Sequence, residues 1–195
     1  QFVGWLGRVL RGDLGTSIRT GLPVAEEIGS RAGLTLRLVI MAFVIAAAIS
    51  IPVGVLAARR RGSWLDRSLV STAVVGVSAP GFAVGLLFLF VFAVTLRWFP
   101  VYGTGEGFWG QLWHLTLPAL ALAFGLGALV VQLTRAAVVR ELESDYVTFQ
   151  RSRGLPERRV LATVLRNAAI PIVTSLGLTV TYLVGGTILV ETPAP

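Results

Sequence analysis

Four long stretches of this chain carry no acidic or basic side chain: residues 38–58, 68–96, 115–134 and 167–190. An apolar helix of roughly 20 residues crosses the hydrocarbon core of a bilayer. It also pairs its own backbone groups, which an irregular chain in lipid leaves unpaired. Each stretch is long enough for one crossing. The second, with 29 uncharged residues, exceeds a perpendicular crossing and requires a tilt, a kink or a surface extension. The expected fold is all-α: a polytopic membrane helix bundle with spans over about 35–58, 69–96, 115–139 and 168–190. Pro52, Pro80, Pro118 and Pro171 fall within them, where neighbouring groups can re-pair the freed carbonyls.

Composition excludes the main alternatives. A chain of 195 residues that is 54% hydrophobic and 14% charged has more apolar surface than a soluble domain of this size can bury. The net charge of +7 comes from 17 arginines and no lysine. Those arginines lie between apolar runs rather than along one soluble face, so a nucleic-acid partner is not expected. There is no cysteine, and His114 is the sole histidine. Neither thiolate chemistry nor a metal cluster is available.

The arginine distribution orients the bundle. Residues 59–67 and 135–166 together hold eleven arginines against five acids, whereas the opposite face holds six against five. The positive-inside rule puts the two arginine-rich loops in the cytoplasm. Trp98, Tyr102, Trp109 and Trp113 then form an aromatic belt at the outer face. Arg37 and Arg135 lie near opposite membrane faces, where their long stems can snorkel. Residues 1–33 read as an external amphipathic segment and loop, with Trp5, Leu6, Val9 and Leu10 on one helical face and a second short helix over 24–31. Residues 34–190 form the membrane domain, including the loop 140–166, and 191–195 are an external stub. No apolar signal region precedes residue 34, and the chain stops directly after an apolar run. It is read as part of a longer polypeptide.

The loop 140–166 carries the functional signal. Asp145 can begin or cap a helix on which Tyr146, Phe149 and Arg153 share one side. Gly154 ends that helix, and Leu155-Pro156 opens the next, with Glu157 favourable in its first turn. Such a helix–glycine–helix elbow has two readings. It can dock in a cleft of a soluble partner, or it can be an interfacial hairpin held against anionic lipid by Arg151, Arg153, Arg158 and Arg159.

The segments Asp145-Tyr146-Val147, Arg151-Ser152-Arg153-Gly154-Leu155-Pro156-Glu157-Arg158-Arg159-Val160 and Leu165-Arg166-Asn167-Ala168-Ala169-Ile170-Pro171 resemble the signature loop of ABC importer permeases. Arg11-Gly12-Asp13-Leu14-Gly15-Thr16-Ser17, Pro52-Val53-Gly54-Val55-Leu56-Ala57-Ala58 and Gly62-Ser63-Trp64-Leu65-Asp66-Arg67 agree more narrowly with the first permease of the dipeptide, oligopeptide and nickel group. The resemblance covers essentially the whole chain in order. Phe149, Gln150 and Ser152 depart from it, standing where smaller residues are usual.

That resemblance implies six spans, of which four are present here. It also implies a bacterial inner-membrane subunit of an ATP-driven importer of dipeptides or oligopeptides. The subunit would form half of the pathway beside a second homologous permease, with two ATPase subunits, an external substrate-binding protein and membrane lipid as its other partners. ATP and magnesium would be bound by the ATPases, since this chain has no Walker lysine and no catalytic site of its own. Asp145, Tyr146, Arg153, Gly154, Leu155, Arg158, Arg159 and Val160 are the residues expected to couple it to an ATPase. Tyr146, Leu155 and Val160 would be apolar anchors.

Ser78, Gln132, Ser175 and Thr179 are candidates for the translocation path, although serine and threonine in spans also satisfy backbone carbonyls. The alternative function, an ion-coupled secondary transporter of small solutes, would place ionisable groups near the midplane, where the runs have none.

Overall fold

The structure is a computed structural model and describes residues 6–190 apart from 8, 10, 19 and 104, with side chains not described at 30, 31 and 182–190. The expected stub at 191–195 and part of the amphipathic face, at Trp5 and Leu10, lie outside the described residues. The chain divides into two compact units, residues 1–40 and 41–195.

In the first unit the chain folds back on itself at an isolated antiparallel bridge between Thr16 and Pro23. The Asp13 carboxylate accepts the Gly15 N–H at 2.9 Å and tightens the preceding turn. Helix α1, Val24–Arg59, begins here with Glu26 and Glu27 in its first turn, where carboxylates oppose the positive end of the helix dipole. Residues 24–31 are thus not a separate helix, as the sequence reading has them. No proline follows Pro23 until Pro52, and the helix runs through Gly29 and Gly33.

The second unit is all-α. The remainder of α1 leads into a tight turn and then α2, Trp64–Ser78, whose first turn is closed by the Ser63 hydroxyl accepting the Asp66 N–H at 3.2 Å. Helix α3, Gly81–Phe88, continues as a π-helix over Leu89–Thr95. Between α2 and this arm the axis bends by 108°. The cause is local: Pro80 excludes helical backbone at Ala79, which has φ −74° and ψ 130°. The second apolar stretch is therefore a sharply broken element, not a straight span.

Three helices follow: α4, Gly107–Leu142, α5, Asp145–Ser152, and α6, Glu157–Val190. Among the described residues three helices are long and apolar enough to cross a membrane, or four if the bent pair counts as one crossing.

Small residues set the packing. Lipid removes most of the hydrophobic drive between helices, so close approach of backbones has to supply the attraction. Ala73, Ala128 and Val131 form one buried cluster between α2 and α4. A larger one joins Ala58 of α1, Ala137 and Val138 of α4, Val147 of α5, and Val160, Val164, Ala168 and Ile172 of α6. Large side chains such as Val44, Phe90 and Ile170 point outward and are exposed, as lipid-facing residues must be.

Candidate functional site

The larger cluster lies under the elbow formed by α5 and α6. Ser144 is the N-cap residue of α5, and Asp145 is its first residue. At the other end the Gly154 N–H bonds to the Arg151 carbonyl at 2.9 Å and the Leu155 N–H to the Gln150 carbonyl at 3.2 Å. This pair of bonds is a Schellman motif. It requires the left-handed backbone that Gly154 adopts at φ +74°. The chain re-enters a helix at once, with the Arg159 N–H bonding to the Pro156 carbonyl at 2.8 Å.

Several side chains stiffen this turn. Arg151 and Glu157 pair across it through two bonds, Nε to Oε1 at 2.8 Å and Nη2 to Oε2 at 3.2 Å. Glu157 holds the Arg151 guanidinium charged. The Tyr146 hydroxyl donates to Glu141 Oε2 at 2.9 Å, tying α5 to the end of α4. Burial, followed by that carboxylate contact, raises the Tyr146 phenol above its usual value of 10.0. Gln150 Nε2 reaches Thr163 Oγ1 at 3.5 Å, so its bulk lies inside the elbow.

The residues expected to act together divide into two sets. Asp145, Arg153, Gly154, Arg158 and Arg159 are exposed, and so is Phe149, over whose ring the Arg153 guanidinium lies at 5.6 Å. Val160 is wholly buried beside Val147 and Val164. Leu155 and Tyr146 pack partly against the same cluster. Val160 therefore anchors the elbow to its own chain and offers no surface to a partner, contrary to the sequence reading.

Two ion pairs fasten the α1–α2 turn to the stem of the elbow. Asp66 accepts from Arg135 Nε at 2.6 Å and Nη2 at 2.8 Å, and its side chain is 4% exposed. Its second oxygen also takes the Gly62 N–H at 2.9 Å. Arg61 pairs with Glu143, the residue after α4. Arg135, which the sequence places near a membrane face, is held there by a carboxylate. Asp66 was not among the candidate residues. Its signal was present: a lone acid among the arginines of 59–67, three residues after Ser63, the spacing of a helix-capping pattern.

The proposed path residues do not converge. Ser78 is exposed at the end of α2, and Gln132 is half-buried in α4. Ser175 and Thr179 are buried, and their hydroxyls donate to the Ile172 and Ser175 carbonyls of their own helix. None of the four lines the apolar cavity of about 320 Å³ walled by Ile45, Ile49, Phe88, Phe124 and Val131. Among the described residues no three His, Asp or Glu side chains are grouped to hold a metal.

These elements define an all-α membrane protein with a polar elbow between two of its long helices. Residues 50–194 match the family described as the binding-protein-dependent transport system inner membrane component, and the chain belongs to that family. It is 39% identical over 198 residues to the oligopeptide transport system permease protein AppB of Bacillus subtilis, covering 98% of this chain and 63% of that one. It is 41% identical over 192 residues to the glutathione transport system permease protein GsiC of Escherichia coli, covering 98% of this chain and 61% of the relative. A probable peptide ABC transporter permease protein of Sinorhizobium fredii is 34% identical over 196 residues, with 98% and 63% covered. The chain thus spans a little over three fifths of the length of these relatives. Membership fits a multi-pass protein of the inner membrane.

Proposed function

We propose that this chain is part of the membrane domain of one permease subunit of an ATP-driven importer of peptides. The subunit pairs with a second permease and forms half of the pathway. Loops 59–67 and 140–166 face the cytoplasm, where the elbow docks into an ATPase. Asp145, Arg153, Gly154, Arg158 and Arg159 present the docking surface, with Phe149 among them. Tyr146, Leu155 and Val160 hold that surface from beneath. Closure of the ATPases around ATP and magnesium would push the elbow and tilt α4 and α6. An external binding protein would deliver the cargo, and the names of the relatives favour small peptides.

The observation that carries this reading is the packed core of the elbow, with Val147, Val160 and Val164 fully buried beneath an exposed charged face. A lever has to transmit displacement, and a loop without a core would absorb it. The test is uptake of a labelled dipeptide into vesicles containing the full complex. Uptake should require ATP and the binding protein. Uptake driven by an ion gradient without an ATPase would support the secondary-transporter alternative instead.

A further inference from the structure

The elbow does not stand on the α4–α6 pair alone. Asp66 lies in the first turn of α2, and Arg135 lies about two turns before the end of α4. Between them they make two charge-assisted bonds of 2.6 and 2.8 Å in a largely enclosed setting, where such forked pairs are strong and directional. Arg61 and Glu143 make a second, exposed link at the point where α4 hands over to the elbow. Gly62 sits at φ +78°, so the turn can aim its N–H at the same Asp66 carboxylate. Ala58, at the end of α1, belongs to the cluster beneath the elbow. The α1–α2 turn is therefore joined to the elbow stem by apolar contact, by a part-buried ion pair and by a surface ion pair.

We propose that Asp66 and Arg135 are positioning residues for energy coupling: they make the α1–α2 turn move with the elbow, so that a push on α5 reaches α1 and α2 as well as α4 and α6. This rests on the permease reading given above. Neither residue touches cargo or nucleotide; each acts by holding the other. Replacing Asp66 alone would leave the Arg135 charge enclosed without its partner, which is strongly destabilising. The informative variant neutralises both, Asp66→Asn with Arg135→Gln.

The experiment places spin labels at Arg60→Cys and Thr148→Cys in the full complex in lipid discs. The chain has no cysteine of its own to interfere. With the ion pair intact, the distance between the labels should form one narrow distribution that is the same with and without ATP. In the doubly neutral variant it should broaden. Uptake per ATP hydrolysed should fall about fivefold or more, while assembly and ATPase turnover persist. A narrow distribution in the variant, or unchanged uptake per ATP, would overturn the proposal. The distance measurement does not depend on transport. If the unmodified complex shows no ATP-driven uptake, the permease reading fails, and the label distances still decide whether this pair holds the elbow.

Discussion

A side-chain carbon placed on Gly54 of α1 would lie 2.7 Å from Cβ of Thr134 and 2.8 Å from the carbonyl oxygen of Val131, both on α4. The two helices cross so closely that only glycine fits. Gly54→Ala should therefore destabilise the protein by about 1–3 kcal/mol, because backbone atoms must give way. Gly125→Ala, at a site with no neighbour within 4 Å, should be neutral or stabilising. Thermal unfolding of the full chain in detergent separates the two. Equal midpoints would show that the crossing is not tight.

Thr134 itself is 0% exposed, and its hydroxyl has no hydrogen-bond partner. A buried hydroxyl left unpaired costs about 1–3 kcal/mol. Thr134→Val keeps the shape and removes the oxygen, so thermal stability should rise or stay level. A clear loss would mean that the hydroxyl has a hydrogen-bond partner after all.

Gly154 has open space around it, so its requirement is conformational rather than steric. A valine there would be forced into left-handed backbone at a cost of about 1–2 kcal/mol. Asparagine, which tolerates that region, should lose less. The expected order of both unfolding midpoint and ATPase binding is glycine, asparagine, valine. Reversal of the last two would remove the helix-terminating role.

Tyr146 titrates above 10.0 because burial and the Glu141 carboxylate both disfavour the phenolate. With its folded value raised, its contribution to stability is full below the unfolded value of about 10 and is lost as pH rises through the folded value. Tyrosinate absorbance of the parent protein minus that of Tyr146→Phe should isolate one late-titrating phenol. A difference curve centred at or below 10 would contradict the burial of the phenol beside Glu141.

Phe149 is 60% exposed and lies under Arg153. Such an exposed pair stabilises the fold by only about 0.5–1 kcal/mol. Phe149→Ala should leave the unfolding midpoint nearly unchanged and weaken ATPase binding by about tenfold, or 1.4 kcal/mol. Unaltered affinity in a direct titration would take Phe149 off the docking surface.

Much of this molecule is legible along the chain. The uncharged runs identify membrane helices, because hydropathy and span length are local quantities. The elbow is legible for the same reason: Gly154, Pro156 and Glu157 act on the few residues beside them. The break at Pro80 was expected only as one of several ways to accommodate 29 uncharged residues; Pro80 sets the extended backbone at Ala79, and after the 108° bend α3 packs on α4 with Phe88 5.9 Å from Phe124. The burial of Val160 was hidden because a stripe of valines reads the same whether it meets a partner or its own chain.

Asp66 and Arg135 stand 69 residues apart, and nothing local pairs the one with the other. Spacing and hydropathy determined that this chain enters a membrane as helices with a polar elbow. Which charges meet was decided only by tertiary packing, since an ion pair forms where helices bring opposite charges within hydrogen-bond reach and water is excluded.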